Sequence, residues 1–147
     1  EVILVIEATI DDMSPELIGH VTERLLEGGA LDVFVTPVQM KKNRPGVNLT
    51  VMSELGQRRA LMEIRFAETT TLGSRFHEVQ REVLGRKVVK VSTQFGKVSI
   101  KLGVSGGEVL NAAPEYEDCR RLSKSKRVPV KKIQQAAMIA YHKGGKK

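Results

Sequence analysis

The chain opens on "EVILVIEATI", where both alternate sets of positions stay apolar until Glu7. Such a run reads as a strand buried on both faces, hence central in a sheet. "SPELIGHVTERLLEGG" then switches to the three-and-four spacing of a helix. Ser14 is the predicted N-cap, Pro15 suits the first helical position, and Gly28-Gly29 makes the stop. Ile18, Val21 and Leu25 fall on one face, with Leu17 and Leu26 widening the predicted stripe. "LDVFVTPVQM" and "VNLTVMS" read as the second and third strands. "GQRRALMEIRF" reads as a second helix that buries Leu61, Ile64 and Ala60.

The next segment, "SRFHEVQREVL", mixes two periods. Phe76, Val79 and Val83 have helical spacing, whereas the arginines alternate as on an exposed strand. We assign a strand, because "KVVKVST" and "KVSIKLG" follow with period two and "QFG" turns between them. "GEVLNA" adds a last short strand. Two helices finish the chain: 115–126 after Pro114, and 130–142 after Pro129, with Ile133, Ala137 and Tyr141 on one face. "KGGKK" reads as frayed. The order strand, helix, strand, strand, helix, strand is that of a ferredoxin-like split βαβ unit. The expected fold class is therefore α+β: a ferredoxin-like split βαβ core extended by an antiparallel β-meander, with two C-terminal helices. A length of 147 residues suits one domain, 1–147, with 113–143 as a helical extension.

Composition narrows the function classes. Hydrophobic residues make up 41% and charged residues 28%, as in a globular protein. No apolar run approaches the roughly 20 residues that span a bilayer. The start at Glu1, directly into a strand and without a basic leader, leads us to expect a domain cut from a longer chain. Cys119 is the one cysteine, and no CxxC or HxxxH spacing occurs, so neither a disulfide nor a structural zinc site is expected and a reducing cytoplasm is the default.

The net charge of +7 conceals an asymmetry. Residues 1–40 hold one cation, Arg24, against eight acids; residues 41–147 hold 23 cations against nine acids. Ten of those cations follow Cys119, where no acid occurs. This polarity suits an anionic partner: nucleic acid, nucleotide or an acidic surface. The competing reading is a solvated helical face plus electrostatic contact between copies of the chain.

Four stretches hold candidate chemistry. In "EATIDDMSPE", Asp11 and Asp12 sit between a buried strand and a helix N-terminus, where carboxylates either cap the helix or offer hard oxygen ligands to Mg²⁺ or Mn²⁺. "QMKKNRPGVNL" crowds Lys41, Lys42 and Arg44 into a strand–turn–strand connection. A hairpin turn has no use for that much charge, whereas lysine and arginine suit phosphate oxygens. "AETTTLGSR" places Thr69, Thr70 and Thr71 ahead of Arg75. It reads either as a strand opening or as a phosphate-contacting edge. In "NAAPEYEDCRR", Glu115, Glu117 and Asp118 open a helix, with Tyr116, Cys119 and Leu122 on one apolar face. Cys119 has no local histidine to activate it and reads as core. His20, His77 and His142 are scattered and read as surface or packing residues. Neither GxxxxGK[ST] nor GxGxxG occurs.

Taken together, "IDDMSPE", "ALDVFVTPVQMKKNRPG", "ETTTLGSR" and "PEYEDC" resemble, in order and spacing, the C-terminal domain of the LarC family. These are the nickel-insertion proteins of the nickel-pincer nucleotide cofactor pathway. The resemblance runs from Glu1 to about Ala140. It implies CTP-dependent insertion of Ni²⁺, as substrate, into pyridinium-3,5-bisthiocarboxylic acid mononucleotide, with CTP cleaved to CMP and pyrophosphate. The resulting cofactor serves lactate racemase. It further implies Mn²⁺ or Mg²⁺ with CTP, a partner N-terminal LarC domain, and a homo-oligomer. By the same resemblance, Lys41, Lys42, Arg44, Thr69, Thr70, Thr71 and Arg75 are nucleotide-binding candidates, and Asp11 and Asp12 metal candidates. Glu115, Tyr116 and Asp118 match the last motif with no role assigned. The chain departs from the family's usual Glu-Thr-Asn-Ile-Asp-Asp at Ala8 and Thr9. The rival readings are a basic RNA-binding module on a ferredoxin-like sheet and a structural oligomerisation domain. Against RNA, aromatic residues are 4% and no aromatic pair lies on a predicted strand to stack bases, so no nucleic acid is expected as a partner.

Overall fold

β1 (Val2–Ile10) lies where its two apolar faces require, inside a sheet. β3 (Arg44–Ser53) flanks one side and β4 (Arg75–Gln80) the other, both antiparallel to it. β2 (Asp32–Met40) pairs with the outer edge of β3, giving the order β2-β3-β1-β4. With α1 (Pro15–Glu27) between β1 and β2, and α2 (Arg58–Glu68) between β3 and β4, this is the predicted split βαβ arrangement. The computed structural model describes residues 1–144, and these divide into two compact units, Glu1–Glu82 and the residues from Val83 onward.

In the first unit, Leu4, Ile6, Ala8 and Ile10 alternate onto one face of β1. There they meet Leu49 and Val51 of β3, Val21 and Leu25 of α1, and Leu61 of α2. The Ser14 hydroxyl caps α1, accepting the Leu17 N–H at 3.4 Å. The predicted α1 stripe is narrower than expected. Val21 and Leu25 are buried and Ile18 half-buried, but Leu17 and Leu26 are exposed, since only about 100° of the helix meets the sheet. In α2, Ala60 is likewise exposed. Its place in the core is taken by Arg65, one turn beyond Leu61. Thr69–Thr71 do not open a strand: they form the loop between α2 and β4.

The second unit holds β5 (Gly85–Thr93), β6 (Gly96–Ser105) and β7 (Glu108–Pro114), then α3 (Tyr116–Lys126) and α4 (Val130–Gly144). The expected meander is present, but it forms a sheet of its own, ordered β5-β6-β7, rather than adding strands to the first. Period-two patterning specifies a strand but not its partner, and among the described residues β5 pairs with β6 alone. Val98, Ile100 and Leu102 of β6 face Cys119 and Leu122 of α3, and Ile133 and Ala137 of α4. Tyr116, expected on that apolar face, is exposed. Glu115 and Asp118 tie α3 to β6: Glu115 pairs with Lys101 at 2.8 Å, and Asp118 Oδ2 accepts the Ser99 N–H at 2.9 Å. That backbone bond, with Arg121, holds the Asp118 carboxyl below its ordinary value. Cys119 is buried core, as read, and its thiol is pushed up by desolvation. No helix among the described residues is long and apolar enough to cross a membrane. Most of the frayed "KGGKK" segment lies outside the described residues.

Candidate functional site

Antiparallel pairing on both sides of β1 gathers the flagged segments of the first unit at one end of its sheet. Ile10 pairs with Val47, Met40 with Arg44, and Glu7 with Arg75. Because β3 is inserted between β1 and β2, β2 runs parallel to β1. The β2–β3 turn therefore falls beside the exit of β1. Asp11–Asp12, Lys41–Arg44 and Thr69–Arg75 thus share one end of the sheet.

The segments touch. Arg44 Nη1 lies 3.4 Å from Asp11 Oδ2, and the Thr70 hydroxyl donates to Asp12 Oδ1. Both acids precede the Ser14 cap, so they meet these distant partners rather than capping α1. The remaining threonines organise their own loop. Thr69 Oγ1 donates to the Arg65 carbonyl at 2.8 Å and accepts the Thr71 N–H at 3.3 Å, while Thr71 Oγ1 donates to the Gly73 carbonyl at 2.8 Å. Lys42 and Asn43 both adopt left-handed backbone conformations, φ 59° and 58°. This is the conformation a tight hairpin turn demands, usually supplied by Asn-Gly. Asparagine tolerates it, but lysine there costs on the order of 1 kcal/mol. Gln39 Nε2 donates to Asn43 Oδ1 at 3.0 Å across the turn. Lys41 and Lys42 are exposed and form no ion pair among the described residues.

Beneath this rim is a recess of about 380 Å³, lined by Ile10, Asp11, Met13, Pro45 and Gly46 among others. Gly46 is dictated by close approach. A Cβ there would stand 2.7 Å from the Ile10 carbonyl oxygen and 2.6 Å from Met40 Sδ. No group of three or more His, Cys, Asp or Glu side chains converges anywhere among the described residues. The donor set at this end, two adjacent carboxylates and a threonine hydroxyl, is all oxygen. It suits a hard divalent ion that arrives on phosphates, and it does not form a cage of its own.

Two side-chain networks escaped sequence reasoning, although Arg75 in the first was flagged. On the face of the first sheet opposite α1 and α2, Glu7 Oε1 accepts from Asn48 Nδ2 at 2.7 Å and Glu7 Oε2 from Arg75 Nε at 3.2 Å. Arg75 Nη2 also donates to Asn48 Oδ1 at 2.9 Å. Arg75 is therefore committed to a carboxylate and an amide. The Asn48 bond is the main cause holding the Glu7 carboxyl below its ordinary value; burial opposes it and Arg75 assists. On the opposite face, the fully buried Arg65 donates from Nη2 to the Ile6 and Leu49 carbonyls at 3.1 and 3.2 Å, and from Nη1 to Ser74 Oγ at 3.2 Å. It locks α2, both central strands and the threonine loop together. Desolvation pulls its guanidinium down to about 10, so it remains charged at neutral pH. The signal was available: Arg65 stands four residues after Leu61, in the stripe itself. Among the histidines, His20 lies 3.2 Å from Glu68, and the His142 ring meets that of Tyr141 tilted by 59°, centroids 5.3 Å apart.

Comparison with known proteins bears on these residues. A family model described as "Nickel insertion protein" matches residues 1–134. A Myxococcus xanthus protein named for nickel insertion is 51% identical over 136 residues, covering 92% of this chain and 35% of its own length. A pyridinium-3,5-bisthiocarboxylic acid mononucleotide nickel insertion protein from Acetivibrio thermocellus is 47% identical over 134 residues, covering 91% and 33%. The chain thus spans about a third of the length of these relatives. A solved structure of LarC2, described as the C-terminal domain of a cyclometallase involved in synthesis of the NPN cofactor of lactate racemase, apo form, superposes with a TM-score of 0.91. It has 37% identity, and the match covers 97% of this chain and 98% of that one.

Proposed function

The chain belongs to the nickel insertion protein family, and from that premise we propose that it is the metal–CTP-binding part of a nickel-inserting enzyme. The whole enzyme inserts Ni²⁺, as substrate, into pyridinium-3,5-bisthiocarboxylic acid mononucleotide, with cleavage of CTP. The observation that supports this most directly is the meeting of acid and base at one sheet end, 33 residues apart in the chain, through Arg44 and Asp11 at 3.4 Å. A triphosphate needs cations and its metal needs carboxylates, and that end of the sheet offers both.

Lys41 and Lys42 serve as point charges for the outer phosphates, and Arg44 as a forked donor steered by Asp11. The left-handed Lys42 supports this assignment, since strained non-glycine backbone concentrates at functional loops. Asp11 and Asp12 would hold Mn²⁺ or Mg²⁺. The ion supplies neutralisation of phosphate charge, and each carboxylate keeps lone pairs beyond its single protein partner. Thr69–Thr71 offer hydroxyls at the rim. Arg75, already bound to Glu7 and Asn48, positions the loop. We place the working enzyme in the cytoplasm, as a homo-oligomer joined to an N-terminal domain.

Calorimetric titration with Mn-CTP, and with Mn-ATP for comparison, tests the reading. Wild type should bind Mn-CTP in preference, and Lys42→Ala should weaken it by about tenfold, one charge-assisted contact. An absence of heat, or equal affinity in the variant, rejects the site.

A further inference from the structure

The tip of the loop that joins α2 to β4 stands clear of packing. Leu72 is fully exposed, and a Cβ added to Gly73 would have no atom within 4 Å beyond its chain neighbours, among the described residues. A tip without packing keeps one shape through its hydrogen bonds. Two of these are internal, from the Thr71 N–H to Thr69 Oγ1 and from Thr71 Oγ1 to the Gly73 carbonyl. The side-chain bonds that anchor the two ends of the loop go to a single residue. At the start, Thr69 Oγ1 donates to the Arg65 carbonyl at 2.8 Å; at the close, Arg65 Nη1 donates to Ser74 Oγ at 3.2 Å. Arg65 is itself fixed, being fully buried with its Nη2 on the Ile6 and Leu49 carbonyls of β1 and β3.

Between the two anchors stands Thr70, whose hydroxyl donates to Asp12 Oδ1. Asp12 is exposed, and among the described residues Thr70 is its one side-chain partner. The direction of that carboxylate therefore follows from where the loop puts Thr70. Core packing does not call for a guanidinium at position 65. It stands in the stripe of Leu61, where an apolar side chain of similar length would fill the space without desolvating a charge. An apolar side chain, however, brings no donor to Ser74.

We propose that Arg65 is a positioning residue for the sheet-end rim, fixing the Asp12 carboxylate by holding both ends of loop 69–74. It touches neither nucleotide nor ion and acts through Ser74, Thr69 and Thr70. The consequence for binding rests on the proposed metal–CTP site, in which Asp12 is a ligand of the ion. Groups hydrogen-bonded to a ligating carboxylate set its direction, and with it the metal affinity. Asp11 is steered separately, by Arg44. Loss of the Arg65 tether thus disturbs one ligand of the ion and leaves in place the cations assigned to the phosphates.

Ser74→Ala cuts the tether and leaves Arg65 on its two strand carbonyls, whereas Ser74→Thr keeps a hydroxyl. Arg65→Met removes the donor and keeps the core filled. Val21→Ala, a core truncation in α1 away from the loop, is the control for lost stability alone. Calorimetry on the 147-residue chain with Mn-CTP, and with CTP in the presence of a chelator, separates the part of the affinity that the ion supplies. In Ser74→Ala and Arg65→Met the affinity for Mn-CTP should fall roughly tenfold, with metal-free CTP bound as in wild type. Ser74→Thr should recover the loss. Val21→Ala should lower the thermal midpoint and change neither affinity. Without any ligand, the amide resonances of Asp12 and Thr70 should move in Ser74→Ala. Unmoved resonances overturn the proposal. So do an unchanged Mn-CTP affinity in Ser74→Ala, an equal loss of both forms of CTP, or the same selective loss in Val21→Ala. If the resonances move but wild type gives no heat with Mn-CTP, the rim assignment fails and the tether from Arg65 to Asp12 stands.

Discussion

Arg65 offers a sharp test of how the first unit is held together. Its three donated bonds, to Ile6 O, Leu49 O and Ser74 Oγ, run between 3.1 and 3.2 Å. Bonds from a charged donor are worth about 1.5–3 kcal/mol each, so three amount to roughly 5–9 kcal/mol gross. Against this stands desolvation. The fall of the guanidinium to about 10 corresponds to a cost on the order of 3 kcal/mol. Arg65→Ala loses the bonds, relieves that cost and leaves a cavity beside Leu61, so the net loss should be about 3–5 kcal/mol. Arg65→Met fills most of the space without burying charge, and should cost clearly less, about 1–3 kcal/mol. Urea unfolding followed by far-UV circular dichroism measures both, with unchanged slopes required for the comparison. If Arg65→Ala costs under about 1 kcal/mol, or Arg65→Met costs as much as Arg65→Ala, the guanidinium is not the clamp described.

Gly46→Ala should destabilise by about 1–3 kcal/mol, since its Cβ would press on the Ile10 carbonyl and Met40 Sδ; the thermal midpoint reports the loss. The same variant should weaken Mn-CTP binding through displacement of Asp11, whose Cβ lies 3.3 Å from the added atom. Glu7 has a lowered folded pKa, chiefly through Asn48. Its stabilisation is therefore fully present above the ordinary value of 4.5 and lost as pH falls through the lower folded value. Unfolding midpoints measured from pH 6 down to pH 3 should fall less steeply in Asn48→Ala than in wild type, and parallel curves would refute that linkage.

The periodicities alone carried a great deal. They located the α-helices and, with β4 decided by its neighbours, the strands of the described residues, though not the short 3-10 turns at Lys41–Asn43 and Leu55–Gln57; they also showed β1 to be central because both of its faces are apolar, and placed the α1 cap at Ser14. The charge clusters at 11–12 and 41–44 were equally legible, because a turn that needs no charge still carried three cations. Both kinds of signal are local: they report which way a side chain faces, or what a short stretch contains. Pairing is not local. Only the tertiary structure decided that β3 comes between β1 and β2, which is what puts Asp11 against Arg44. Only it separated the meander into a second sheet. The burial of Arg65 belongs to the same class. A guanidinium enters a core only where backbone carbonyls and a hydroxyl converge to receive it, and in this chain those acceptors come from Ile6, Leu49 and Ser74, in three separate segments.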